Sequence, residues 1–249
     1  MARKTRRRGK RRARPRRWRR VAFTLALRSL GVAVALLCLL VLPWRWIPPP
    51  TTAYMLQARA SAPGGRIHQR WVPWEEISPH VALAVLAAED QRFPTHGGFD
   101  WQAIGDAIQD DSGRLRGAST LSQQLAKNLY LCYLWPERSW LRKALEASLT
   151  LLLEWTWPKQ RILEVYLNVV EFGPGVFGVE AAANRHFGTS AARLNPSQAA
   201  LLAAVLPSPK KLSAGAPSDY VRERALHIEN AARKLGGRAF LKKLSSPDG

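Results

Sequence analysis

The 249-residue sequence holds only two cysteines, Cys38 and Cys132, so no disulfide framework shapes the fold. Cys38 falls inside an apolar run, which leaves Cys132 alone outside it. Histidine is scarce too, with five residues and none at ligand spacing from His96, so the pattern offers little for a protein-held metal. Apolar and polar residues almost never alternate with a period of two, and no segment repeats. Those absences argue against sheet-based and solenoid architectures. "GPGVFG", Gly173 to Gly178, matches a dinucleotide-binding glycine pattern, but it follows "RILEVYLNVVEF", which reads as helix rather than strand. The pattern is therefore expected to be a turn between helices. "SPKK" at Ser208 fits S-x-x-K formally, yet no K-T-G follows it, and the match is taken as chance.

Acids are outnumbered, 18 against 38 Lys and Arg, for a formal charge of +20. The excess is local. "MARKTRRRGKRRARPRRWRR" carries thirteen of those basic residues and no acid, leaving the remainder at +7. Behind it stands the one long hydrophobic run, "VAFTLALRSLGVAVALLCLLVLPWRW". About 20 apolar residues cross a bilayer, and Val21 to Leu42 supplies them if Arg28 snorkels toward the basic end. The tail then reads as the cytoplasmic flank of an anchor, with Trp44 and Trp46 at the far interface. A cleaved signal peptide is the competing reading, but the small-x-small stretch Ala58 to Ala60 lies far past the apolar core. The tail is read as setting orientation and attracting anionic lipid rather than nucleic acid.

The expected divisions are a basic tail at 1–20, an anchor helix at 21–46, a proline-stiffened linker at 47–66 and one mostly α domain at 67–249. Ser78 and Pro79 open a helix that runs to about Gln91. Asp100 caps a second, over "DWQAIGDAIQ". Thr120 and Gln123 form a capping box for a third, "LSQQLAKNLYL". A fourth is expected from about Trp140 to Trp157, apolar enough to be buried on most sides. Pro158 restarts a fifth, "VEAAANRHF" and "SQAALLAAVL" follow, and "SDYVRERALHIENAARKLGG" closes the chain.

Glu89 stands out within this frame. It shares a helix face with Ala82, Val85 and Leu86, so a carboxylate is aimed into apolar surroundings, where burial raises its pKa. Glu89 and Asp90 also oppose the dipole at a helix C-terminus. The start of the third helix, after Ser119 and Thr120, should leave backbone N–H groups free for phosphate oxygens, with Lys127 a turn or two away. Gln123 and Gln124 build one polar face with Lys127. Arg142 and Glu146, at i and i+4 in the less favourable order, are poorly chosen for stability, which points to function.

Together "EDQRFPTHGGFD", "GASTLSQQLAKN", "RSWLRKALE", "RILEVYLN" and "EFGPGVFGVEAAANRHFG", in that order behind one anchor, resemble the family 51 peptidoglycan glycosyltransferases, in the form without a transpeptidase domain. The resemblance implies a lysozyme-like helical domain beside the bacterial inner membrane, facing the periplasm. It implies inverting polymerisation of lipid II onto a growing glycan chain. Glu89 would be the general base and Glu146 the second essential acid. Thr120, Gln124, Lys127, Arg138 and Arg142 would bind substrate. Asp90, Phe93, His96, Ser119 and Gln123 would support the site. No cofactor is obligatory; a divalent cation, Mg or Mn, at the pyrophosphate is compatible with the resemblance, with Glu146 as its candidate protein ligand. Protein partners would come from cell-wall synthesis or division. The sequence departs from the family at Ser122, where many members have Thr, at His186, where Tyr is usual, and in the longer "CYLWP" before Glu137. A lytic enzyme sharing the fold and the glutamate, or a non-catalytic cell-wall scaffold, are the alternative readings.

Overall fold

A computed structural model describes residues 15–61, 65–109, 119–131 and 139–245. The chain divides into two units, residues 1–40 and residues 41–249. Helix α1, Pro15–Val41, accounts for the described residues of the first, and the stretch Trp18–Arg45 is long and apolar enough to cross a membrane by length and composition. Its one hydroxyl near the basic end causes no difficulty, because Thr24 Oγ1 bonds back to the Arg20 and Val21 carbonyls at 3.1 and 2.9 Å.

The second unit opens with a 3₁₀ turn, Leu42–Arg45, that is pinned to the body. The Arg45 guanidinium donates to the Thr156 carbonyl, and Arg161 donates to the carbonyls of Trp44 and Ile47 at 2.9–3.1 Å. Residues 47–66 were expected to be a linker, but they hold helix α2, Ala53–Ser61. Thr52 Oγ1 accepts from the Met55 N–H at 3.0 Å and caps it, while Met55 and Ala58 are buried as it packs on the helix Leu121–Tyr130. Two buried positions in nine residues give too weak a periodicity to show through a proline-rich composition.

Helices α3 (Pro79–Glu89), α9 (Pro196–Val205) and α10 (Asp219–Lys234) pack together as the centre of the domain. The first two are apolar all round, as a helix enclosed on every side must be. Ser78 and Pro79 open α3 as expected, and α9 starts with Asn195 and Pro196, where Asn195 and Gln198 form a capping box. Helix α4, Trp101–Gln109, is capped by Asp100, whose carboxylate takes the Ala103 N–H at 2.9 Å. Helices α5 (Leu121–Tyr130), α6 (Trp140–Thr156) and α7 (Lys159–Val169) form a second packed group. Two further helices, α8 (Val179–Phe187) and α11 (Arg238–Lys242), complete the set among the described residues.

Two expectations need correction here. Helix α6 is not buried on most sides: Leu141, Ala144, Ser148, Leu151 and Trp155 form an exposed stripe, with Trp155 85% exposed, and the opposite face alone is buried. Nor does α7 run through Phe172. It stops at Val169, and a hairpin follows, β2 (Glu171–Gly173) paired antiparallel with β3 (Val176–Phe177). Pro174 and Gly175, the latter at φ +70°, supply the turn. A short strand β1, His68–Gln69, adds in parallel to give the order β1-β3-β2. β-Branched and aromatic residues around a Gly-Pro-Gly turn favour strand over a continuing helix. Gly178 then meets the end of α7 so closely, at φ +79°, that a Cβ there would lie 2.6 Å from the Asn168 carbonyl oxygen.

Candidate active site

Glu89 ends α3, in the last turn of an almost wholly buried helix. Its carboxylate accepts from Gln124 Nε2 at 2.9 Å, and Gln124 Oε1 accepts from the Tyr166 hydroxyl, also at 2.9 Å. Helices α3, α5 and α7 thus meet at one amide, whose orientation is fixed when Glu89 is ionised, because a carboxylate can only accept and leaves the amide oxygen to take the phenol's proton. Burial raises the Glu89 pKa above the ordinary glutamate value; the Gln124 bond and the fields of Arg224 and Lys127 oppose that, while Asp90 adds to it. Burial also pushes the Tyr166 phenol well up, so it stays a donor.

Asp90 turns the other way. Its carboxylate accepts from the Leu121 N–H at 3.0 Å and from His96 Nε2 at 2.9 and 3.0 Å. His96 Nδ1 in turn accepts from the Gly98 N–H at 3.2 Å, which places the ring proton on Nε2. Phe93 is fully buried, its ring edge-on to His96 and 4.5 Å beneath the Lys159 ammonium. These three supporting residues therefore brace the chain that leaves α3 against the start of α5.

The start of α5 differs from expectation. Thr120 Oγ1 takes the Gln123 N–H at 3.3 Å and donates to the Gly98 carbonyl at 2.7 Å, Gln123 Oε1 takes the Thr120 N–H at 3.0 Å, and Asp90 takes that of Leu121. The N–H groups that were to receive phosphate are mostly occupied from within. Gln123 serves the cap, and the anion-binding reading passes from backbone to side chains. Ser119 is exposed and lines a cavity of about 170 Å³ with Glu89, Asp90, Arg92, Asp100 and Thr120. Gln124, Lys127 and Tyr166 line a larger cleft of about 400 Å³.

Glu146 is buried on α6 and ion-paired with Lys143. One turn further on, Thr150 bonds back to the Glu146 carbonyl and faces Gly98. Among the described residues no hydrogen bond or ion pair joins Glu146 to Glu89. Arg142, one turn before Glu146, is half-buried. Arg138 lies outside the described residues.

Sequence reasoning missed four residues of this region. Glu154 and Lys159 are a buried ion pair at 2.8 Å, their side chains 7% and 9% exposed. Lys159 also donates to the His96 carbonyl, and Ser122 donates to Glu154, so the pair ties α5, α6 and α7 to the loop after α3. Burial lowers the Lys159 pKa while Glu154 holds it up. The signal was available: an acid in the last turn of "LTLLLEWT" opposes the dipole as Glu89 does, and a lysine in the first turn of α7 does too. Tyr166 left no mark beyond its apolar periodicity. Arg224, on α10, offered none either, because only the tertiary packing of α10 on α3 brings its field to Glu89.

A family model described as Transglycosylase matches residues 57–232. Curated relatives are similar over most of the chain. The biosynthetic peptidoglycan transglycosylase of Ectopseudomonas mendocina is 53% identical over 212 residues, covering 83% of this chain and 86% of the relative. That of Rhodospirillum centenum is 53% identical over 219 residues, covering 86% and 90%. That of Salmonella agona is 55% identical over 203 residues, covering 78% and 83%.

Proposed function

The chain belongs to the transglycosylase family and is a peptidoglycan transglycosylase, and on that premise we propose that it polymerises lipid II into β-1,4-linked glycan by an inverting displacement. The observation that carries this reading is the Glu89 carboxylate, buried at the end of α3, held by Gln124 and flanked by a lysine-bearing cleft. The 4-hydroxyl of an incoming saccharide gives its proton to Glu89 as its oxygen attacks the anomeric carbon of the growing chain. The bond to the lipid diphosphate breaks, and inversion converts an α-linked donor into a β-linked product. A carboxyl pKa raised above the ordinary glutamate value suits this proton transfer, because it makes the carboxylate a stronger base.

Charge builds on the departing diphosphate, and the reading gives Lys127, which lines the cleft with Gln124, the task of meeting it. Among the described residues no three His, Cys, Asp or Glu side chains stand together as a metal site. A divalent ion at Glu146 would therefore draw its remaining ligands from substrate phosphate and water. The reading includes no transpeptidation, since S-x-x-K is not followed by K-T-G. The helix long enough to span a membrane would place the basic tail in the cytoplasm and the catalytic unit in the periplasm.

The test is direct: detergent-purified protein is incubated with labelled lipid II and the products are separated by length. Glycan polymer with release of undecaprenyl pyrophosphate is expected. Cleavage of mature peptidoglycan with no polymer from lipid II would replace the synthetic reading with a lytic one.

A further inference from the structure

The larger cleft, which includes the Glu89-bonded Gln124, is lined by Gln124, Lys127 and Tyr166 from α5 and α7, by residues 208–211 of the turn after α9, and by Tyr54 of α2. We propose that Lys210 and Lys211 are a second cationic element that binds the diphosphate of the lipid-linked substrate in the same cleft as Lys127. This assignment rests on the transglycosylase reading above, and it gives a role to the "SPKK" stretch that the sequence left without one.

Charge balance is the first argument. Among the described residues the cleft's one lining acid is Glu171, which is buried and already committed: its Oε2 accepts from the Tyr54 hydroxyl at 2.7 Å and its Oε1 from the Gly175 N–H at 3.0 Å. Among the described residues neither Lys210 nor Lys211 makes an ion pair. Lys210 and Lys211 therefore bring two ammonium groups without an ion pair to a cleft whose one described lining carboxylate is already engaged. Like charges gathered around a concavity repel one another in the empty state and focus positive potential on whatever enters. That arrangement is unfavourable by itself and becomes favourable with a multivalent anion within the cleft.

Fixed geometry is the second. The Ser208 N–H bonds to the Val205 carbonyl at 3.1 Å, and the N–H groups of Lys211 and Leu212 both bond to the Ser208 carbonyl at 2.9 Å. Prolines 207 and 209 stiffen the same stretch. The backbone bearing the lysines is thus held at the cleft rim. Lys210 is further directed by the Tyr54 ring, whose centroid lies 5.5 Å from its Nζ and whose hydroxyl is anchored by Glu171. Lysine suits the task, since compact ammonium groups on flexible stems can follow phosphate oxygens as a bond lengthens. Continuity with the base is the third argument, because Gln124, bonded to the Glu89 carboxylate, is itself part of the cleft lining.

The same chemistry would also suit the phosphate of an anionic membrane lipid, so the experiment separates the two. Wild type, Lys210→Ala/Lys211→Ala and Lys210→Arg/Lys211→Arg are compared in neutral detergent. Each is melted with and without inorganic pyrophosphate, assayed for polymerisation of labelled lipid II, and tested for adsorption to zwitterionic and anionic vesicles. Pyrophosphate should raise the melting temperature of the wild type, by the linkage of binding to stability, and should do so far less for the alanine pair. The alanine pair should show a KM for lipid II raised roughly 10-fold or more, as expected for two lost charge-assisted contacts, with a smaller fall in kcat and a melting temperature without ligand that is not lowered, since charge repulsion in the empty cleft is relieved. Arginines should restore part of both effects. Equal pyrophosphate stabilisation and equal KM in all three proteins would overturn the assignment. So would a defect confined to anionic vesicles, which would make the lysines a lipid-surface contact. If the wild type made no polymer, the transglycosylase reading would fail, while the pyrophosphate shift would still decide whether these lysines hold a diphosphate.

Discussion

At the scale of single residues, Glu89 is held by opposing influences: burial favours its neutral form, while Gln124, Arg224 and Lys127 favour the charge. Glu89→Gln keeps the volume and the reach of the side chain but removes the proton acceptor. Polymerisation should fall by about 10²–10⁴-fold or more, the range of general-base catalysis, with lipid II binding largely retained. The same variant should melt higher than the wild type at neutral pH. An acid with a raised pKa in the folded state destabilises that state fully above its folded pKa and not at all below its unfolded pKa, about 4.3. The gap in melting temperature should therefore close as pH falls through the raised Glu89 pKa. A pH-independent gap, or full activity, would remove Glu89 from its role. Gly98 carries a different constraint: at φ +93°, an added Cβ would meet Thr150 Cγ2 at 2.9 Å and Glu154 Cγ at 3.0 Å. Gly98→Ala should push the loop off α6, loosen the Thr120 and His96 contacts and lower turnover, which a steady-state assay beside a melting curve would report.

At the scale of elements, the Glu154–Lys159 pair holds three helices and a loop together. Lys159→Met should destabilise by roughly 3–5 kcal/mol, because it strands a buried carboxylate. Adding Glu154→Leu should recover much of that loss, and a double-mutant cycle on denaturation midpoints measures the coupling. Additive effects would mean that the two act separately. Helix starts were the most legible feature of the chain, since a cap is a local event: Ser78, Asp100, Thr120 and Asn195 each stand within three residues of the N–H they satisfy. Elements set by distant partners were harder to read. Helix α2 forms because α5 lies beside it, and the hairpin after Val169 is fixed partly by β1, about 100 residues earlier. The candidate site was legible to a similar degree. Glu89 betrayed itself by an acid among apolar residues, whereas Tyr166, Arg224 and the lysine turn depend on packing that no local pattern records.

At the scale of the whole molecule, the proposed orientation rests on charge asymmetry and one long apolar helix. A reporter fused to the C-terminus should be active only in the periplasm, and cytoplasmic activity would reverse the topology. The second unit also has an outer surface of its own to account for. Its pinned first turn leaves Trp46 and Ile47 69% and 57% exposed, and the α6 stripe adds Leu141, Leu151 and Trp155. Monomeric soluble proteins seldom display such apolar side chains in rows. A fragment begun at Val41, with α1 removed, should therefore behave as a poor colloid: light scattering should show self-association in plain buffer that mild detergent reverses. Replacing Leu151 and Trp155 with lysine or glutamine should relieve it, since neither side chain belongs to the core. A fragment monodisperse without detergent would show that the stripe is inert in water.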